Sequence, residues 1–220
     1  MGKTAIILGG TGLVGGLLLN KLLLDDSYST IKLFSRSSAK LSNPKIEEHL
    51  GDIIHLEDFK NRFHADEVFC CIGTTKAKTN DEVLYKQIDY GIPTKAAALC
   101  KENNIPFFAV VSALGANKNS TIFYNKTKGE MEEEVLRYQV KNTYILRPSL
   151  ISGNRQEKRF LEDLSNVFMK LVNPLLVGSI KKYRSIPAKT IAECMYKLAS
   201  EKPQITILSS EEIKAIVKRA

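Results

Sequence analysis

Tyr124 and Lys128 stand four residues apart in Phe123-Tyr124-Asn125-Lys126-Thr127-Lys128-Gly129-Glu130, a run that predicts a helix continuing to Leu136. On a helix that spacing puts both side chains on one face, one turn apart. A phenol with an ordinary pKa near 10 is a sluggish base at neutral pH; an ammonium within a few ångströms favours the phenolate and can lower that pKa by about 1–3 units. Such a pair suits proton transfer at the oxygen of a carbonyl or alcohol. Tyr-x-x-x-Lys by itself is also a common surface pair, so the residues upstream decide between the two.

Upstream, Ala5-Ile6-Ile7-Leu8 reads as a buried parallel strand that runs into glycines at 9, 12 and 15 and then into the helical run Leu17 to Leu24. Strand, tight turn and helix in that order suit a dinucleotide pyrophosphate. Glycines let the backbone approach the phosphates, and the helix N-terminus offers N–H groups and a positive dipole end. Gly9, Thr11, Gly12, Leu13, Val14 and Gly15 are expected to line that turn, with Gly-x-x-Gly-x-x-Gly spacing in place of the commoner Gly-x-Gly-x-x-Gly. A signal peptide is the competing reading of this apolar stretch. Five glycines interrupt it, no small-x-small cleavage site follows, and it is shorter than the roughly 20 residues of a membrane span. The expectation is a mature, soluble chain.

The next strand, Ile31 to Ser35, ends at Ser35-Arg36-Ser37-Ser38. An acidic residue there would bind the adenosine ribose 2′-hydroxyl; a guanidinium instead pairs with a 2′-phosphate and stacks on adenine. Ser35 and Arg36 therefore predict NADP(H) over NAD(H). A third strand, Ile46 to Leu50, closes on Gly51-Asp52-Ile53, where Asp52 either accepts from the adenine amino group or caps a helix. The fourth, Glu67 to Ile72, delivers Cys71, Ile72, Gly73 and Thr74 to the carboxyl side of the sheet, where a cofactor would pass.

A long helix is predicted from Asp81 to Asn103, interrupted at Gly91-Ile92-Pro93. Strand five, Phe107 to Ser112, and strand six, Thr143 to Leu146, follow, the latter ending at Arg147-Pro148-Ser149. Strands alternating with helices predict an α/β fold: a doubly wound parallel sheet covered on both faces. All 220 residues fit one dinucleotide-binding domain, with residues 150–220 including a small lobe on the substrate side. In that lobe Arg159 to Val172 reads as a helix stopped by Asn173-Pro174, and Arg184 to Pro187 as a short strand. A helix from Ala188 to Ala199, a strand at Thr206 to Leu208 and a terminal helix capped by Ser209 or Ser210 complete it.

Taken in order, the glycine turn, the arginine after strand two, the serine ending strand five and Tyr-x-x-x-Lys resemble the short-chain dehydrogenase/reductase superfamily. Gly9 to Gly15, Ser112-Ala113-Leu114-Gly115-Ala116, Tyr124 to Glu130 and Leu146-Arg147-Pro148 are similar to its atypical group, which includes the Tat-interacting-protein oxidoreductases. The resemblance covers residues 1–154. It implies a Rossmann-like fold, related to sugar-nucleotide epimerases and redox-sensing regulators, and an NADP(H)-dependent oxidoreductase acting on a small carbonyl or alcohol. In it Tyr124 is the acid/base, Lys128 its electrostatic partner and a holder of the nicotinamide ribose, Ser112 the orienter of the substrate oxygen, and Arg147 and Pro148 part of the cofactor site. Many relatives carry two serines at the end of strand five; here Ala113 follows Ser112, which keeps a non-catalytic, NADP(H)-sensing regulator or scaffold as the alternative.

The formal net charge of +8 raises the question of nucleic acid or an anionic membrane. The lysines are scattered, however, and groups such as Lys76/Lys78 and Lys181/Lys182/Arg184 lack interleaved aromatics. The expected partner is a small-molecule substrate, not nucleic acid or membrane, and monomer and homodimer stay open. Four cysteines without framework or metal-ligand spacing predict no metal and a reducing compartment, the cytoplasm; His49, His55 and His64 read as surface or loop residues.

Overall fold

The computed structural model describes residues 2–153 and 184–219. Predicted features within residues 154–183, including the helix from Arg159 to Val172, lie outside the described residues. The chain alternates strand and helix. β1 (Lys3–Leu8) leads to α1 (Leu13–Leu23), then β2 (Tyr28–Ser35) and β3 (Ile46–Leu50), a 3-10 stretch (Ile53–Arg62) and β4 (Glu67–Cys70). α2 (Glu82–Lys86), a π-helical turn (Gln87–Gly91) and α3 (Ile92–Glu102) run end to end into β5 (Phe107–Val111). α4 (Phe123–Arg137), β6 (Asn142–Arg147), β7 (Ile151–Ser152), β8 (Ile186–Pro187), α5 (Ala188–Glu201), β9 (Ile207–Ser209) and α6 (Ser210–Lys218) complete the order.

Seven strands form one parallel sheet in the order β3-β2-β1-β4-β5-β6-β9. The order reverses between β1 and β4, the switch point outside which ligands bind in open α/β sheets. Strand residues alternate between two cores. Ala5, Ile7, Phe69, Phe107, Ala109, Tyr144 and Leu146 face α1, α5 and α6, whereas Ile6, Leu8, Val68, Cys70, Phe108, Val110 and Ile145 face the 3-10 stretch, α3 and α4. That explains the apolar runs Ala5 to Leu8, Val68 to Cys70 and Phe107 to Val110: both faces of these strands are covered, so successive residues are buried. Burial of each phenylalanine contributes about 2 kcal/mol.

Two expectations change. The predicted break at Gly91-Ile92-Pro93 is a π turn that passes directly into α3, because Pro93 lies in the first turn of α3, where a missing N–H leaves no bond unmade. His49 is not a surface histidine. It lies buried in β3, stacked on Phe34 at 4.5 Å, because its strand position points it at the aromatic cluster of Phe34, Phe59 and Phe63. The C-terminal elements join the main body, β9 as the seventh strand and α5 packed on α1. The capping box of Ser209 and Glu212 starts α6.

Candidate functional site

At the switch point Gly9 adopts φ +82°, and a Cβ there would stand 3.0 Å from the Cys71 carbonyl oxygen. A Cβ on Gly15 would fall 2.2 Å from the Gly9 carbonyl oxygen, so the helix can reach the turn only if that residue is glycine. Gly12 donates to the Gly9 carbonyl at 2.9 Å and serves as N-cap of α1 without a side chain capping the first turn. Those first-turn N–H groups, beside exposed Thr11 and Gly12, fit an anionic pyrophosphate. Leu13 and Val14 turn inward instead and pack on the α1-side core. Cys71 donates its backbone N–H to Leu8 and places its thiol 3.7 Å from Met195 Sδ on α5; Ile72 packs against the opposite core.

Arg36 is exposed in the bend after β2. The neighbouring hydroxyls are already engaged: Ser35 donates to the Ser37 carbonyl at 2.7 Å and Ser38 to Glu48 at 2.7 Å. Glu48 also accepts from the Ala39 N–H, and these bonds hold its carboxyl below the usual range. Asp52 caps the 3-10 stretch by accepting from the Ile54 N–H at 3.0 Å, and Ile53 is buried.

Tyr124 lies on the first turn of α4 with 41% of its surface exposed; Lys128, one turn on, is buried. Lys128 Nζ stands 2.7 Å from Asp89 Oδ1 in the π turn, with both side chains almost wholly buried. The other oxygen of Asp89 accepts from the Thr74 N–H at 2.7 Å. Thr74 is further fixed by the Thr79 hydroxyl at 2.9 Å, and Tyr85 donates to its carbonyl at 3.3 Å. Burial pushes the Lys128 ammonium toward neutrality, but Asp89 and the Tyr124 phenol outweigh it and hold the proton more firmly than in an ordinary lysine. The expected depression of Tyr124 does not occur. Desolvation and the Asp89 carboxylate raise its pKa, and the pull of Lys128 offsets only part of that.

Ser112 is buried and donates its hydroxyl to Glu132 of α4, which is itself held by Arg147 through Nε at 3.0 Å to both carboxylate oxygens and through Nη2. The bond to Glu132 keeps the guanidinium charged beyond its usual range. The Pro148 carbonyl accepts from the Leu114 N–H at 2.9 Å, anchoring the loop after β5. That loop crosses α4 at Gly129, where a Cβ would stand 2.1 Å from the Lys118 nitrogen.

A profile described as NAD(P)H-binding matches residues 9–202. The chain belongs to the NAD(P)H-binding family. It is 29% identical to the mitochondrial protein FMP52 of Debaryomyces hansenii over 98% of both chains. It is also 29% identical to HTATIP2 of Rattus norvegicus over 76% of this chain and 70% of that one. UDP-glucose 4-epimerase of Thermotoga maritima, solved with UDP-glucose, has the same fold, with a TM-score of 0.70 and 15% identity over 98% of this chain and 81% of the epimerase.

In this NAD(P)H-binding protein the glycine turn and the Gly73-Thr74 loop flank the switch point, and Tyr124 and Lys128 share a helix face joined to that loop through Asp89. Ser112 and Arg147 are joined to each other through Glu132, whereas Asp52 bonds locally to its own turn. Sequence reasoning missed Asp89 and Glu132. Glu132, four residues beyond Lys128, carried a signal: an acidic residue on the inner face of a helix needs a buried partner.

Proposed function

We propose that this protein is an NADP(H)-dependent oxidoreductase of the atypical short-chain dehydrogenase/reductase type, acting on a small carbonyl or alcohol. The observation that carries the reading is the part-exposed Tyr124 one helical turn from the buried Lys128, the latter tied through Asp89 to the Thr74 loop at the carboxyl end of β4. The residues fit a dinucleotide: the turn from Gly9 to Gly15 would hold its pyrophosphate, Arg36 its 2′-phosphate, and Lys128, by the family resemblance, its nicotinamide ribose. A bound nicotinamide supplies or accepts hydride. Tyr124 exchanges the proton at the substrate oxygen, and Lys128 stabilises the phenolate as it forms. The similarity to a UDP-glucose epimerase supports a sugar-nucleotide-like substrate as one candidate class.

NADPH oxidation measured against a panel of carbonyl compounds tests the assignment. Tyr124→Phe is expected to lose at least about 100-fold in turnover, the low end of general acid–base contributions. Unchanged turnover would remove Tyr124 from the chemistry.

One observation favours a second reading, an NADP(H)-sensing protein without turnover: the Ser112 hydroxyl is donated to Glu132, and Ala113 beside it has none to offer. Tight NADPH binding with no turnover across the panel would establish that alternative. A small-molecule partner is supported over nucleic acid by the pairing of surface lysines with carboxylates, as in Lys86–Glu130, Lys95–Glu57 and Lys118–Glu133. The free cysteines support a reducing compartment, and fractionation would separate the cytoplasm from the mitochondrial setting carried in the FMP52 name.

A further inference from the structure

We propose that Asp89 is a positioning residue that sets this site for reduction: paired with Lys128 inside the protein, it keeps Tyr124 a phenol, poised to give its proton to a substrate carbonyl oxygen. The inference rests on the reading of Tyr124 as acid/base and adds a direction to it. A lysine beside a tyrosine ordinarily favours phenolate, a base suited to taking a proton from an alcohol. Here the lysine charge is already matched.

The geometry is specific. Lys128 and Asp89 meet at 2.7 Å with side chains 4% and 1% exposed, and the second oxygen of Asp89 is held by the Thr74 N–H at 2.7 Å. The carboxylate sits in a π turn, a local widening of a helix found often at functional sites. Anchored on one side by the β4 loop and on the other by α4, it cannot swing away from the ammonium. The titratable groups facing the pair come from four elements. From β4 there is Cys70, whose thiol burial pushes to about 11 and keeps neutral; from α2 there is Tyr85, raised by burial and by Asp89; Asp89 itself comes from the π turn, and Tyr124 and Lys128 from α4. Tyr124 therefore faces one ammonium and one carboxylate of opposite effect: burial, the largest influence, favours the neutral phenol, Lys128 pulls the other way, and Asp89 takes back part of that pull.

The proton balance follows. The Tyr124 O–H bond breaks as the substrate O–H bond forms, the electron pair for the new C–H bond being the hydride of a reduced nicotinamide. The phenolate left behind sits beside Lys128 and is reprotonated by water at the exposed part of the ring.

Ultraviolet difference titration of the full chain, without cofactor or substrate, tests the assignment. The phenolate absorbance of the wild type minus that of Tyr124→Phe traces the ionisation of Tyr124 alone, and the same subtraction is made in an Asp89→Asn background. The wild-type midpoint is expected above pH 10, the ordinary tyrosine value, with Asp89→Asn lowering it by about 1–2 pH units and Asp89→Glu restoring it. A wild-type midpoint below pH 9, which needs no variant at Asp89, overturns the proposal, and so does a midpoint that Asp89→Asn leaves in place. Carbonyl turnover by Tyr124→Phe at wild-type rates would instead sink the acid/base reading, so the two failures are told apart.

Discussion

Ser112 follows directly on β5, where a substrate-orienting hydroxyl is expected, yet its hydroxyl is given to Glu132. A bond to a buried carboxylate contributes about 1.5–3 kcal/mol. Ser112→Ala is therefore expected to lower the unfolding free energy by that amount in urea titration while turnover falls by less than about tenfold. A 100-fold loss of turnover with unchanged stability would return Ser112 to the substrate. Arg36 makes the opposite kind of prediction. Exposed after β2, it has little to stabilise, but a bidentate pair with a 2′-phosphate is worth about 1.5–3 kcal/mol. Arg36→Ala should raise the NADPH Kd by about 10–100-fold and leave the NADH Kd within about twofold; equal losses would refute the phosphate role.

At the scale of elements, the turn between β1 and α1 depends on backbone packing that no side chain can relieve. A Cβ at Gly15 meets the Gly9 carbonyl oxygen at 2.2 Å and its carbon at 2.8 Å. Gly15→Ala must open the turn, and overpacking of this kind costs about 1–3 kcal/mol. We expect a lower melting temperature and at least a tenfold loss of both NADPH and NADH binding, followed by cofactor fluorescence. Wild-type affinity in a folded Gly15→Ala protein would move the pyrophosphate elsewhere. The strand–turn–helix itself was legible because its glycines and apolar run are local. The π turn was not: it adds one residue to a helical turn, and neither propensity nor periodicity over five residues registers that change.

For the whole molecule, burial of neutral acids shapes the pH dependence of stability. Burial holds the Cys70 thiol up to about 11 and the Cys194 thiol up to about 12, and raises Cys71, Cys100, Tyr28, Tyr85 and Tyr144 above their ordinary values. In the unfolded chain these groups ionise near 8.5 for cysteine and 10 for tyrosine. Above those values the folded state binds more protons than the unfolded one, so stability is full below about pH 8.5 and falls as pH rises beyond it. Each group adds up to about 1.4 kcal/mol per pH unit to the slope. Urea midpoints measured from pH 7 to 11 should show that alkaline fall, with Cys194→Ala making it shallower; a flat profile would contradict the burial of these groups.

The sequence alone determined what depends on neighbours along the chain: the β-α-β order, the glycine turn, the arginine after β2, the i, i+4 pairing of Tyr124 with Lys128, and a terminal helix capped by Ser209 or Ser210, of which the structure selects Ser209. Each is a matter of spacing within one or two turns, where backbone geometry fixes the outcome. Only the tertiary structure decided what the charged groups at the cleft do. Lys128 meets Asp89 across 39 positions, Ser112 just past β5 and Arg147 of β6 meet at Glu132 of α4, and His49 finds Phe34 across neighbouring strands. Those contacts are set by the sheet order and by which side of a helix faces it. Lys128 still pulls the Tyr124 phenol down, but burial and the Asp89 carboxylate together outweigh that pull, which the helix spacing alone does not reveal.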